Sequence, residues 1–351
     1  MKKILFIDLY FHAKTCSSQF LLDELEKVAT VERYCEDEDG RFQGKLLPPM
    51  ACRKYDIVIF WQVIQSMKRI KNAVQYGKMV YFPMYDATPL LNLIQPETTA
   101  YWRQFFDVQI ICFCKKLHDS LKRIHFDTHY FQYFPPVEHD CNLDGDPRSL
   151  YFWRRGGKID FDIVQAVNAA YSLNKIHWHD VPDPQFTEGP KISSELVKKI
   201  SRSIWYLDKE QMKKDMLESC LYLAPRIQEG IGMSFLEAMA MGRCVIAPDS
   251  ATMNEYIQPN KTGILYNIEH PVFDLSESLV RRIQRNTVSY IFQGYMDWCE
   301  RKIAMVHLLL NTPSKYQGTW WQKIYYKFYF AIINALRQKY RHFLFLLKKH
   351  Q

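Results

Sequence analysis

Two glutamates eight positions apart, Glu229 and Glu237, flank a Gly-x-Gly turn in the run EGIGMSFLEAMAMG. Gly230 and Gly232 leave backbone N–H groups open to close approach, and they stand where the apolar run 233–241 needs a helix to begin. The first amides of a helix have no partner inside it, so a phosphate fits at that start. The helix is apolar on every side except at Glu237, which predicts a largely buried carboxylate that must accept hydrogen bonds. A ribose diol supplies two donors; pairing with a structural Lys or Arg is the alternative.

Strands must hold this turn in place, and the sequence has them on both sides: CLYLAP precedes it and CVIAP follows. Over the first 140 residues, short β-rich apolar runs (4–9, 57–61, 79–83, 108–113, 129–134) alternate with helical patterns. One such helix is 18–29, with Phe20, Leu21, Leu25 and Val28 on one face and Ser17 or Ser18 to cap it. Residues 136–149 are polar, rich in Asp and Pro and without period, the signature of a linker. A second alternation follows: strands in SLYFW, at 176–178, at 203–206, in CLYLA, CVIAP and GILYN, with helices at 161–171, 193–201 and 209–219 and the apolar helix after Gly232. Two helices are expected over 274–310 and a last one over 320–349. The reading is α/β, with two Rossmann-like domains at 1–140 and 150–310 and a separate amphipathic helix at 319–349. Ligands of such sheets sit at the carboxyl ends of the strands, so the cleft between the domains is the expected site.

Composition excludes several classes. At 351 residues, 48% hydrophobic and 24% charged, the chain is neither collagen-like nor disordered. Nine cysteines, an odd number with no CxxC, fit reduced thiols in a cytosol, and Cys112 and Cys114 read as core packing. The start MKKILFIDLYFHAK reads as a buried strand, because Asp8 interrupts what would be a leader core. No run is long enough to span a bilayer. The net charge of +8 is unevenly placed: ten basic and no acidic residues follow Glu300, leaving 36 basic against 38 acidic in residues 1–300. In the last helix Lys323, Lys327, Arg337 and Arg341 form a polar stripe opposite Trp321, Tyr325, Phe328, Tyr329, Ile332, Leu336, Phe343 and Leu347, with Trp320 at its start. A basic face against an aromatic one predicts a helix lying on an anionic membrane surface, or one that crosses back to pack on the N-terminal domain. No nucleic-acid module is visible.

The glutamate pair, the glycine turn and the following Ala-x-Ala-x-Gly and strand resemble the EX7E motif of nucleotide-sugar glycosyltransferases of the GT-B fold, in the large retaining family numbered four. Pro225, Glu255 in MNEYI and Gly263 agree with that register, which covers about residues 150–267 well. The resemblance implies that Glu229 contacts hydroxyls of the donor sugar, that Glu237 holds the ribose, and that Gly230, Ile231 and Gly232 turn over the diphosphate. It also implies an Arg after the first strand of the second domain and a Lys soon after, for which YFWRRGGKIDFD offers Arg154 or Arg155 and Lys158. Two cations and a helix N-terminus stabilise a leaving diphosphate without a metal or cofactor.

Two departures fall on the acceptor side. The glycine pair usual after the first strand is replaced by YFHAKTCSS, and where a histidine is often found after MVYFP stand Tyr85 and Asp86. The DxD-like stretches 37–39 and 144–146 read as solvated loops, and His177 and His179 as strand-end histidines rather than metal ligands. The function implied is a retaining glycosyltransferase acting on a nucleotide-sugar donor and a glycan acceptor, lipid-linked, in surface polysaccharide or lipopolysaccharide synthesis, peripheral on the cytoplasmic face of a membrane. A non-catalytic GT-B binding or scaffold subunit and a GT-B sugar-nucleotide epimerase are the alternatives.

Overall fold

The structure is a computed structural model, and it describes all residues except 36–53, 63, 65–76, 138–142, 144, 184, 187, 207, 208, 350 and 351. Asp37, Glu38, Asp39 and Asp144 of the DxD-like stretches lie outside the described residues. The chain divides into two compact units, Met1–Gln132 with Glu300–Gln351, and Tyr133–Cys299. The boundary therefore falls at Tyr133, and the C-terminal segment belongs with the first unit.

Among the described residues of the first unit, six parallel strands form one sheet: β1 (Lys3–Asp8), β2 (Thr30–Cys35), β3 (Ile57–Gln62), β4 (Lys78–Pro83), β5 (Gln109–Cys112) and β6 (Thr128–Tyr130), in the order β2-β1-β3-β4-β5-β6. Its central strands are buried on both faces, as their continuous apolar sequences require. Phe6, Phe20, Trp61, Phe82 and Phe113 interlock on one face, with ring centroids 5.1–6.0 Å apart. Three expectations change here. Strand β2 lies outside the expected set, and YFHAKTCSS folds into a short helix, Tyr10–Thr15, rather than a bare turn. The next helix is Gln19–Glu26, so Val28 lies beyond its end and is exposed. Ser18 stands at its N-cap position but gives it no side-chain cap, because its hydroxyl donates instead to Asp8, at 2.7 Å.

In the second unit the strands are β7 (Ser149–Arg154), β8 (Lys175–Asp180), β9 (Ile200–Ser203), β10 (Leu221–Leu223), β11 (Cys244–Pro248) and β12 (Ile264–Tyr266), all parallel, in the order β12-β11-β10-β7-β8-β9. One face buries Leu150, Phe152, Ile176, Leu221, Leu223 and Ile246 under the Phe161–Tyr171 helix and Val280 and Ile283 of a later helix. The other face carries a polar aromatic row in cross-strand register, Tyr222, Tyr151 and His177, stacked at 5.9 and 5.1 Å. The segment 193–201 is a four-residue helix, Ser194–Val197, that leads directly into β9. The expected pair of helices over 274–310 is one, Glu277–Asn311. Gly294 does not break it; a Cβ there would lie 2.4 Å from the ring of Phe134, so the glycine serves close packing.

The last helix, Trp320–Lys349, packs along the Pro96–Trp102 helix of the first unit. Its basic side is turned inward: Lys323 and Lys327 pair with Asp107, and Arg337 with Glu97 at 2.7 Å. Phe330 is fully buried beside Phe106, and the hydroxyl of Tyr329 donates to the carbonyl of Leu93 at 3.3 Å. Trp320, Trp321, Tyr325, Phe328, Ile332, Leu336 and Tyr340 are left outside, Trp321 and Phe328 being 74% and 67% exposed. Of the two expectations for this helix, packing on the first unit is the one observed: Lys323, Lys327 and Arg337 hold it to the protein, and the aromatic stripe faces out. No helix among the described residues is long and apolar enough to cross a membrane.

Candidate active site

Strands β7, β8 and β9 follow one another to one side of β7, whereas β10 lies on its other side. The direction of winding reverses between β7 and β10, and a crevice opens outside the carboxyl ends of strands at such a reversal. The two loops bordering it are the RRGGK turn after β7 and the PRIQEGIG turn after β10.

Gly232 adopts φ +81°, and a Cβ at that position would lie 2.0 Å from the ring of Phe235, so only glycine fits both the angle and the space. The helix Met233–Ala240 starts there, with Leu236 donating to the carbonyl of Gly232 at 3.1 Å. Thr252, in the loop after β11, donates its hydroxyl to the carbonyl of Glu229 at 2.6 Å and ties this turn down. Gly230, Ile231 and Gly232 are buried, while Glu229 and Glu237 are half-buried. Glu237 is therefore more exposed than its apolar surroundings in sequence imply.

The buried phenol of Tyr222, on β10, marks what these groups share. Burial pushes its ionisation up, Glu229 and Glu237 push it further, and Arg155 pulls it back. The register agrees: β10, which leads into the turn of Glu229, pairs with β7, which leads into Arg155. Tyr133, likewise raised first by burial, feels Glu237 too.

The cations after β7 separate into three roles. Arg154 is 5% exposed and committed: its Nε lies 3.1 Å from both oxygens of Asp160, and its Nη2 donates to the carbonyl of Glu188 at 2.9 Å. Asp160 in turn accepts from the amide of Phe161 at the start of the next helix, which makes Arg154 part of the scaffold. Lys158 is exposed and pairs with Glu269 at 2.8 Å. Arg155, by contrast, lies over the ring of Trp153 at 4.8 Å and donates from Nε to Asp183 at 2.8 Å. Asp183 also accepts from Arg226 at 2.7 Å. Neither Asp183 nor Arg226 stands out in the sequence. Their signal is register: Leu223 of β10 pairs with Phe152 of β7, and Arg226 and Arg155 each lie three residues beyond.

His177 and His179 belong to the packed face. His177 Nε2 lies 2.9 Å from the hydroxyl of Ser203 and 3.0 Å from that of Tyr206, and His179 Nδ1 lies 3.0 Å from Ser203. Burial, then the neighbouring His177, lowers His179 to about 4, so its ring is neutral at pH 7. Among the described residues no group of three or more His, Cys, Asp or Glu side chains has the arrangement of a metal site. In the first unit Tyr85 is 6% exposed with Lys116 over its ring at 5.7 Å, whereas Asp86 is exposed.

Residues 185–285 match the family model described as "Glycosyl transferases group 1". Sucrose-phosphate synthase from Thermosynechococcus elongatus superposes with a TM-score of 0.64 at 12% identity, over 88% of this chain and 98% of that one. HepE from Anabaena, solved with UDP and glucose, gives 0.60 at 12% identity, over 89% of this chain and 100% of that one. The lipopolysaccharide outer core galactosyltransferase WaaB gives 0.52 at 12% identity, over 86% and 99%. No curated protein sequence matches. Two parallel six-stranded sheets in this arrangement are the GT-B fold. The matched family region lies over the turn that carries Glu229 and Glu237, so it is this part of the second unit that resembles glycosyltransferases in sequence.

Proposed function

We propose that this protein is a glycosyltransferase that moves a sugar from a nucleoside diphosphate donor, with retention at the anomeric carbon, onto a glycan acceptor carried on lipid, in assembly of a surface polysaccharide or lipopolysaccharide. The observation that supports the donor half is the glycine turn at the start of the Met233–Ala240 helix, between Glu229 and Glu237, at the winding reversal of the second sheet beside the loop that carries Arg155. Glu237 accepts from the ribose diol, Glu229 from hydroxyls of the transferred sugar, and the amides at Gly230, Ile231 and Gly232 meet the diphosphate. As the glycosidic bond breaks the diphosphate gains negative charge, and Arg155 with the helix N-terminus stabilises it there. No metal or cofactor is required by this scheme, so turnover is expected to persist in EDTA. HepE, which shares the fold, is described as binding UDP, which makes UDP the first donor nucleotide to try.

The membrane half rests on the exposed aromatic stripe of the Trp320–Lys349 helix, which has the width and composition of a surface that enters a lipid interface. A lipid-bound acceptor and a peripheral position on the cytoplasmic face follow from it. Arg341 lies on the same helix, beyond the last residue whose side chain is described.

Thermal shift against nucleoside diphosphates and nucleotide sugars tests the donor half, since a ligand that binds the folded state raises its melting temperature. Glu237→Ala should weaken binding of the bare nucleoside diphosphate by about 1.5–3 kcal/mol, while Glu229→Ala should spare it and lower turnover by a similar amount. Unchanged nucleotide affinity in folded Glu237→Ala protein, read by calorimetry, would overturn the ribose assignment.

A further inference from the structure

Arg155 and Arg226 come from the two loops that border the winding reversal, one after β7 and one after β10, at matching distance from the paired residues Phe152 and Leu223. Two guanidinium groups at that place would repel each other. Asp183, in the loop after β8, lies against both, its Oδ1 accepting from Arg155 at 2.8 Å and its Oδ2 from Arg226 at 2.7 Å. Its own amide donates to the carbonyl of Arg155 at 2.9 Å, so Asp183 is fixed to the same turn from its backbone. The turn is rigid in a second way: Gly156 and Gly157 have φ of +87° and +93°, and Phe186 closes against Gly156 where a Cβ would meet its ring at 2.5 Å.

Both guanidiniums thus meet one carboxylate from the two loops that border the crevice, each three residues beyond a paired strand residue and on the side of β7 and β10 where the Gly232 helix begins. Arg154 is engaged by Asp160, and Lys158 by Glu269, so neither belongs to this cluster. We infer that Arg155 and Arg226, spaced by the two oxygens of Asp183, form the seat of the donor's diphosphate, with Asp183 a positioning residue that does not itself touch the ligand. Planar guanidiniums offer paired donors that suit phosphate oxygens, and a second arginine at this seat takes the part that Lys158 would otherwise play. The inference rests on the nucleoside diphosphate donor proposed above.

The test compares diphosphate with monophosphate, because a seat for the second phosphate shows in their ratio. UDP and UMP, and in parallel GDP with GMP and ADP with AMP, are titrated by calorimetry into the wild type, Arg226→Gln, Arg226→Lys and Asp183→Asn, with near-ultraviolet circular dichroism as the folding check. Arg226→Gln should lower the preference for diphosphate over monophosphate at least tenfold, and Arg226→Lys should restore part of it. Asp183→Asn should lower it less, and combined with Arg226→Gln should add little, because both changes disturb one cluster. If Arg226→Gln fails to fold, Arg226→Lys carries the test alone, with a preference between that of the wild type and unity. A wild type that prefers a diphosphate while the variants keep that preference overturns the seat and leaves the donor reading standing. A wild type that binds none of the six nucleotides overturns both.

Discussion

The carboxyl ends of β1 and β7 hold equivalent places, each at the winding reversal of its own sheet, and they treat their polar residues in opposite ways. At the end of β1, Asp8 is 1% exposed and saturated from within: His12 lies at 2.6 Å, Ser18 and the amide of Leu9 donate at 2.7 Å, and Arg33 at 2.5 Å. Burial opposes its ionisation, but the bonds from His12, Ser18 and Leu9 outweigh that and hold its carboxyl below the usual range. Beyond β7 and β10 the polar groups instead stand at partly exposed strand ends, two arginines sharing one aspartate beside two half-buried glutamates. The apolar surface is inverted as well, because it is the first unit that leaves a row of aromatic side chains outside, on the Trp320–Lys349 helix. Similar sheets thus treat their ends differently: the first unit closes its strand-end polar groups on one another, while the second leaves them partly exposed, where the proposed donor would meet them.

Three perturbations sharpen that contrast, beginning with the largest. Asp8→Ala leaves Arg33 and His12 without their carboxylate, and removing one partner of a buried ion pair costs about 3–5 kcal/mol. Chemical denaturation should show that loss, while nucleotide affinity in the folded fraction stays at the wild-type value; a stable Asp8→Ala protein that no longer binds nucleotide would assign the cluster to ligand binding instead.

Acidification comes next. His179 titrates near 4 in the folded chain against 6.5 when unfolded, so between those values the unfolded chain binds the extra proton. Stability from this group is complete above pH 6.5 and is lost as pH falls toward 4, by about 3 kcal/mol at most. Asp8, with its depressed value, contributes its stability in full above its unfolded 3.8 and loses it only as pH falls below that. Burial lowers His118 of the first unit and His177 of the second as well, so melting curves from pH 7 to pH 4 should show a loss of stability to which His179 contributes, and His179→Gln should flatten that slope. An unchanged slope in the variant would remove His179 from the account.

The smallest effect on folding is expected at the outer stripe. Trp321→Ala with Phe328→Ala removes exposed rings that touch little, so stability should move by no more than about 0.5 kcal/mol. The same pair of changes should release the protein from anionic vesicles in co-sedimentation. Because Lys323, Lys327 and Arg337 are engaged by Asp107 and Glu97, wild-type binding should depend only weakly on salt. Binding abolished by moderate salt but kept by the double variant would return the basic face to the membrane.

Much of this architecture was legible because parallel strands buried on both faces leave unbroken apolar runs, as IVIFW and CVIAP do. Strand β2 was not, since TVERYC alternates charged and apolar residues at a sheet edge and has no such run. The glutamate pair could be read from spacing alone, being local to one turn and one helix. Asp183 and Arg226 could not, because what joins them to Arg155 is the pairing of three strands far apart in the chain. The tail was half legible: periodicity separated its two faces, but which face meets the protein depends on Asp107 and Glu97, some 200 residues earlier.

The register that aligns Arg155 with Arg226 also limits how this protein can change in length. Side chains alternate between the two faces of a strand, so one residue inserted between Phe152 and Arg155 would turn a charge toward the Tyr151 and Tyr222 layer and carry its neighbour out of reach of Asp183. The same holds between Leu223 and Arg226. Growth and shortening of the chain are therefore to be sought beyond Asp183, in the connection that runs on to β9, where added residues alter a loop without shifting the rows at the winding reversal.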